Sequence, residues 1–250
     1  MTFDDAQLGL PDAARLGKRI HKKLFFENAD LSAADRRAFT EDIDTVTWQY
    51  TLKPSTINVN AYRDDERDYG ELAVVHATLK SPKHAARLAE RIHRAIPYPL
   101  LLVLNYNAQW ALSTAHKRAS RAEAGVTVAE DIRTTRWIDS DTPTDVEQAF
   151  VASLALDELP QTDFYALYSA WHQRLIALAC ARLSGRFHLP AEHETRSAQR
   201  ERLAECHQLE NDIAQLRAEI KKETRFNRQV ELNTRIKELQ ATLRDTATTL

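Results

Sequence analysis

Two carboxylates and a lysine match in part the pattern that a metal-dependent nuclease needs. Asp64 and Asp65 follow the second of three predicted strands, and Lys80 closes the third. In nucleases of the restriction type, an acid on the second strand and an acid-x-Lys pair on the third hold Mg²⁺ beside the scissile phosphate, where the metal activates water. The residue two positions before Lys80 is Thr78, so one principal ligand is missing. A divergent Mg²⁺-dependent nuclease is therefore kept as an alternative, and no other cofactor is expected.

Other common catalytic motifs are absent from the sequence. The five glycines are too far apart for a dinucleotide fingerprint or a phosphate-binding loop. None of the nine histidines has the spacing of a zinc site, and the two cysteines, Cys180 and Cys206, form no CxxC pair. A GxSxG nucleophile motif does not occur either. These observations favour a protein that is not an enzyme.

A basic and aromatic run near the N-terminus could contact nucleic acid. Lys18, Arg19, Lys22 and Lys23 precede two adjacent phenylalanines, Phe25–Phe26. Cationic groups hold phosphates and aromatic rings stack on bases, so we predict a secondary nucleic-acid contact at these four cations. The formal net charge of the chain is -2, so any basic surface must be local. The alternative is an ordinary segment whose phenylalanines plug the core.

The periodicity of apolar residues predicts the elements that position these side chains. Helices are expected around residues 11–20, 33–43, 82–96, 145–156 and 163–183, and strands at residues 45–52, 56–60, 71–79 and 100–104. The continuous apolar run Leu100–Leu104 indicates a central strand covered on both faces. The pattern predicts an α+β fold, with a mixed sheet and flanking helices.

The chain changes character after residue 195. Residues 196–249 contain no Gly or Pro, which is typical of long exposed helices. One heptad runs from Cys206 to Ile220 and another from Leu232 to Leu243, and the step between them breaks the phase. We therefore predict a globular domain at residues 1–195 and a C-terminal helical hairpin or coiled coil at residues 196–250, turning near residues 222–227.

The sequence has no apolar stretch of 18 residues and no secretory leader. Membrane-spanning helices need about 20 apolar residues, and leaders need a charged start followed by an apolar region. We therefore expect a cytoplasmic protein without a membrane partner.

Several segments, in order along the chain, resemble one bacterial family. They are Lys22–Asn28, Trp48–Leu52 with Thr56–Val59, Ala95–Leu100 and Glu223–Asn233. The sequence resembles the domain-of-unknown-function family 4391. This resemblance implies a small accessory protein encoded beside helicases of the Snf2 or type III restriction kind and DNA methyltransferases, and hence restriction-modification or anti-phage defence. It carries over no catalytic residues.

The last of these segments lies at the turn of the predicted hairpin. Phe226 and Val230 are one helical turn apart, and Asn233 follows three residues later. A merely solvated turn has no need of this arrangement, so we predict partner-binding residues. They are Phe226, Asn227, Val230, Leu232 and Asn233.

The leading hypothesis is a non-enzymatic accessory subunit that docks on a helicase or DNA methyltransferase, with any DNA contact secondary. A second alternative is a scaffold in which the C-terminal helices pair between copies of the chain, because each apolar stripe must be covered by a partner.

Overall fold

The computed structural model describes residues 3–28, 30–123, 125–190 and 193–250. The described chain falls into two compact units, one ending at Leu175 and the other covering Ile176–Leu250. The division lies within one long helix, Phe164–Ser184. The boundary predicted at residue 195 falls in the first turn of the next helix, His193–Ile220.

The first unit is built on a seven-stranded mixed sheet. The strands of the first unit, in this sheet and outside it, are β1 (Arg15–Ile20), β2 (Ile43–Leu52), β3 (Tyr62–Arg63), β4 (Asp68–Tyr69), β5 (Leu72–Leu79), β6 (Leu100–Tyr106), β7 (Gln109–Ala119), β8 (Thr127–Thr134) and β9 (Ile138–Asp139). The spatial order is β1-β2-β5-β6-β7-β8, β9 pairs with β7, and β3 and β4 form a separate ribbon. The β5–β6 pair is parallel and the other pairs are antiparallel.

Helices cover the sheet and form the second unit. They are α1 (Lys22–Asn28), α2 (Ala33–Glu41), α3 (Pro54–Ile57), α4 (Ala85–Ala95), α5 (Asp145–Ala152), α6 (Phe164–Ser184), α7 (His193–Ile220) and α8 (Phe226–Ala247). The connection between the parallel strands β5 and β6 is α4, as the sequence predicts. The predicted mixed sheet with flanking helices is confirmed.

Burial explains why β5 and β6 are central. Leu100–Leu104 are fully buried, as a strand covered on both faces requires. The apolar face of α4, with Leu88 and Ile92, packs in one cluster with Val75 and Leu102 of the sheet. Because about 25 cal/mol is gained per Å² of apolar surface removed from water, this cluster is a main source of stability for the first unit.

Two predicted elements are wrong. Residues 11–20 do not form a helix: a short 3₁₀ turn, Asp12–Ala14, leads into β1. Residues 56–60 do not form a strand, because Pro54 begins the helix α3 and Thr56 accepts a hydrogen bond from the backbone N–H of Lys53 at its start. The predicted order of three strands, a helix and a strand is therefore changed: α1 and α2 separate β1 from β2, and α3 with the β3–β4 ribbon separates β2 from β5.

The second unit contains the predicted hairpin. α7 ends at Ile220 and α8 begins at Phe226, so the connection, residues 221–225, overlaps the turn predicted at residues 222–227. The two helices pack against each other, with Ile213 of α7 and Leu232 and Ile236 of α8 buried. Nowhere in the described ranges is a helix long and apolar enough to cross a membrane.

Candidate functional site

The structure does not bring the predicted nuclease residues together. Asp64 and Asp65 lie in the loop of the β3–β4 ribbon, which ends directly before β5. The ribbon is fixed at this end of the sheet because the N–H of Ala119 donates to the carbonyl of Glu66 at 2.7 Å. Lys80 follows the last residue of β5, an eight-residue strand about 26 Å long. A metal ion held by the two carboxylates would therefore lie far from Lys80, and the prediction that Asp64, Asp65 and Lys80 form one nuclease site is corrected.

The carboxylate of Asp64 is also engaged by its own loop. Its Oδ2 accepts hydrogen bonds from the Tyr62 hydroxyl at 2.8 Å and from Arg67 Nη1 at 3.0 Å. Partial burial raises its pKa, but these bonds and those from the backbone of Glu66 and Arg67 outweigh burial and lower the pKa to about 2. Among the described residues, no group of three or more His, Cys, Asp or Glu side chains is placed to hold a metal ion. The site does not fit the Mg²⁺ of the nuclease alternative.

The predicted partner-binding residues divide between the surface and the interior of the hairpin. The side chains of Phe226 and Val230 are 75% and 48% exposed, and Asn227 is exposed beside them. Leu232 is 3% exposed and is not available to a partner, which corrects that part of the prediction. Asn233 is exposed and donates to the carbonyl of Gln229 in its own helix at 2.9 Å.

The turn that carries Phe226 is ordered by Glu223. Its Oε1 accepts hydrogen bonds from the N–H groups of Thr224 and Arg225, both at 2.9 Å. Its carbonyl accepts another from Gln229 Nε2 at 2.7 Å. The hydrogen bond from the Arg225 side chain lowers the pKa of Glu223 to about 2, so the carboxylate stays charged at neutral pH. We call Phe226, Val230 and this turn the hairpin tip.

A groove of about 940 Å³ lies in the first unit, and we call it the basic groove. Its exposed apolar side chains are Leu16, Leu24, Tyr98 and Val126, and Trp48 also lines it. Its cations are Arg15, Lys18, Arg19, Lys53 and Arg94. Six large apolar side chains are exposed in the described part of the chain. Four line the basic groove and the other two form the hairpin tip, so these are the two candidate binding surfaces.

Of the four cations predicted to contact nucleic acid, only two line the basic groove. Lys18 and Arg19 line the basic groove. The ammonium of Lys22 instead donates to the carbonyls of Ile43 and Thr40, and burial together with the charge of Lys80 lowers its pKa. Lys23 is exposed, pairs with Glu27 at 3.3 Å and is not among the groove-lining residues.

Sequence reasoning missed the aromatic part of the groove. The rings of Trp48 and Tyr98 meet edge to face with centroids 5.8 Å apart. Trp48 comes from β2, and Tyr98 comes from the loop between α4 and β6. These two residues are 50 positions apart and belong to no common periodic pattern. The sequence therefore gives no signal that their rings are in contact.

Comparison with known families gives one match, and it covers both candidate surfaces. The family model described as "Domain of unknown function (DUF4391)" matches residues 8–243. The chain belongs to the DUF4391 family. The resemblance seen in the sequence is thereby confirmed, and the DUF4391 match includes the basic groove and the hairpin tip. No curated protein and no solved structure matches the chain.

Proposed function

We propose that this DUF4391 protein is a non-enzymatic accessory subunit of a bacterial restriction-modification or anti-phage defence system. In this proposal the hairpin tip docks on a large DNA-acting partner, a helicase or a DNA methyltransferase. The observation that carries the proposal is the exposure of Phe226 and Val230, at 75% and 48%, on an ordered turn.

The arrangement of the tip has the features of a docking anchor. Phe226 and Val230 lie four residues apart and share one helix face. Arg228 between them forms ion pairs with Glu231 at 2.9 Å and Glu219 at 3.5 Å, so charged side chains surround the apolar pair. Protein interfaces combine an apolar centre with a polar rim, and a few aromatic anchors carry most of their affinity.

The ordering of the turn favours affinity as well. Because Glu223 already fixes the backbone before Phe226, a partner would not have to order this segment on binding. A non-enzymatic role agrees with the separation of Asp64 and Asp65 from Lys80. The helicase or methyltransferase partner rests on the setting that the family resemblance implies.

The test is affinity purification of the tagged full chain from cells that carry its native gene neighbourhood. Phe226→Ala combined with Val230→Ala removes the apolar pair, and we expect recovery of the partner to fall at least ten-fold. Anchors of this kind contribute about 2 kcal/mol or more, and 1.4 kcal/mol is a factor of ten. A circular dichroism melt should show that the double variant stays folded.

A matched control is Arg235→Ala with Lys237→Ala, which changes two exposed residues further along α8. This control should recover the partner as the wild type does. Undiminished recovery by the tip variant would overturn the proposal. Light scattering on the purified chain separates the scaffold alternative, in which the wild-type chain would be an oligomer without any other protein present.

A further inference from the structure

We infer that the basic groove binds single-stranded nucleic acid, with phosphates at its cationic rim and bases on its aromatic floor. The groove lies wholly in the first unit. The inference therefore does not depend on the docking function proposed for the hairpin tip, and it is tested on the purified chain alone.

Positive charge is concentrated in this groove against the balance of the chain. Five Lys and Arg side chains line it together with a single carboxylate, Glu71, although the formal net charge of the chain is -2. Glu71 pairs with Lys53 at 3.3 Å and Arg94 pairs with Glu90 at 2.9 Å, which leaves the three cations of β1. Cations gathered in one cleft repel each other and focus a positive potential, which a ligand with regularly spaced negative charges relieves. The groove therefore suits a polyanion.

Three of the cations stand on β1, at the edge of the sheet. Arg15, Lys18 and Arg19 are exposed, and none of them has an ion-pair partner in the part of the chain that the structure describes. The register of β1 against β2 shifts between Arg15 and Lys18, where Gly17 has a φ of +61°. A bulge of this kind twists the edge and redirects side chains. These three cations are free to take phosphates.

The floor of the groove offers a fixed aromatic surface. Trp48 is held by a hydrogen bond from its Nε1 to Thr51 Oγ1 at 2.9 Å and packs against the core cluster. Tyr98 meets it edge to face and is 43% exposed. A ring held in this way stacks on a base of any identity without losing side-chain freedom. Binding should therefore tolerate different sequences.

The exposed apolar side chains favour a single strand over a duplex. Leu16, Leu24 and Val126 are 52%, 50% and 40% exposed beside the aromatic pair. A duplex presents phosphates and sugars but stacks its bases inside, so it would leave this apolar surface unused. A single strand exposes the flat faces of its bases. An acidic extended peptide supplies charge but no flat rings for Trp48 and Tyr98, which is why we prefer nucleic acid.

The experiment measures fluorescence anisotropy of labelled 20-nucleotide strands, oligo-dT and oligo-U, with the full chain at salt concentrations from 50 to 200 mM. A duplex of equal length and an Asp/Glu-rich peptide of 20 residues are the comparison probes. We expect both single strands to bind more tightly than the duplex and the peptide. We also expect the affinity to fall with salt, because each phosphate contact releases counterions.

Lys18→Gln combined with Arg19→Gln should weaken binding at least ten-fold. For single strands the slope of log K against log salt is about -0.7 per phosphate contact, so removing two contacts should reduce its magnitude by about 1.4. The matched control is Lys80→Gln with Lys83→Gln, which removes two exposed charges outside the groove and should leave binding within two-fold. Tyr98→Ala should weaken binding about five-fold while leaving the salt slope unchanged, since stacking contributes no charge.

Each contrary result overturns the inference. A duplex bound as tightly as the single strands would show a phosphate surface without base stacking. Binding of the acidic peptide alone would make the groove a peptide site. Equal losses in the groove variant and in the Lys80/Lys83 control would show a diffuse charge effect with no site, and absence of binding to every probe at 50 mM salt would show that the groove takes no polyanion.

Discussion

The Nε2 atom of His172 lies 3.0 Å from Oδ2 of Asp131, and this contact joins α6 to β8. His172 is fully buried, and its Nδ1 lies 3.0 Å from Thr114 Oγ1 on β7. Asp131 has a φ of +45°, a conformation that is unfavourable for a residue with a side chain. The contact therefore stabilises both the buried imidazole and a strained position in β8.

Asp131→Ala should lower the free energy of unfolding by about 2–3 kcal/mol. It leaves the buried ring of His172 without this partner and places alanine in a left-handed conformation, each of which costs about 1 kcal/mol or more. Urea denaturation at pH 7 measures the loss. Asp65→Ala, an exposed loop acid, is the control and should stay within about 0.5 kcal/mol of the wild type.

The same contact predicts the response to acid. The hydrogen bond from His172 and the charge of Arg133 hold the pKa of Asp131 well below its usual range, against the effect of burial. A carboxylate whose folded pKa is lowered stabilises the protein fully above its unfolded pKa, about 3.9, and this stability is lost as the pH falls below that value. Between pH 5 and 3 the wild type should therefore lose more stability than Asp131→Asn. Equal losses would exclude this role.

Lys117 predicts a second pH dependence, at the alkaline end. Its side chain is buried, with the amine donating to the carbonyls of His93 and Ile96 at the end of α4. Burial and the charge of Arg94 lower its pKa to about 7. The unfolded chain then binds more protons than the folded one between pH 7 and about 10, so stability should rise with pH there, by at most about 1.4 kcal/mol per unit.

Thermal or urea unfolding at pH 7, 8 and 9 tests this prediction. Lys117→Met should remove the rise, whereas Lys80→Met, at an exposed position, should keep it. A rise of the same size in both variants would assign it to other groups.

Asp35 and Glu41, two acids of α2, should differ sharply in their contribution to stability. Asp35 is 1% exposed, accepts from Ser32 at the start of α2, and pairs with Arg87 at 2.6 Å and Arg91 at 3.3 Å on α4. Asp35→Ala should cost about 3 kcal/mol, since it removes one half of the capping box and takes the carboxylate away from two guanidinium groups. Glu41 pairs with Arg37 on the surface, and Glu41→Ala should cost about 0.5 kcal/mol or less. Urea midpoints of the two variants make the comparison.

Within α8, two large-to-small substitutions separate the core of the hairpin from its tip. Leu232→Ala should cost about 2–4 kcal/mol, because it empties a buried position. Phe226→Ala, at a side chain that is 75% exposed, should change stability by about 0.5 kcal/mol or less. Thermal melts followed by circular dichroism measure both. A large loss for Phe226→Ala would mean that the tip serves folding and not docking.

The elements predicted correctly are those in which the local sequence pattern and the burial in the fold favour the same structure. Leu100–Leu104 is apolar, of strand length and fully buried, and the capping box of Ser32 and Asp35 is present as expected. β1 was missed because all but its last residue is exposed: it has no apolar alternation, and pairing with β2 makes it a strand. The β-branched residues Thr56 and Ile57 suggested a strand. They instead lie in the helix α3, because Pro54 occupies its first position and favours a helix start.

For the candidate surfaces as well, the sequence predicts what lies within one element better than what several elements bring together. That Phe226 and Val230 share one helix face could be predicted, because they are one turn apart in a single helix. The basic groove was only partly predictable, because it gathers Lys18, Trp48 and Tyr98 from three separate segments. The spacing of these residues in the sequence does not show that they lie close together until the strand order is known.

The bulged edge strand β1 also bears on solubility. An edge strand offers a row of unpaired N–H and C=O groups on which another chain can add, and folded proteins discourage this with charged side chains and bulges. Arg15, Lys18, Arg19 and the irregularity at Gly17 provide both devices on β1. Any ligand that neutralises these cations would also weaken the barrier to edge-to-edge aggregation, so the protein should be most prone to precipitate when concentrated and stripped of this charge.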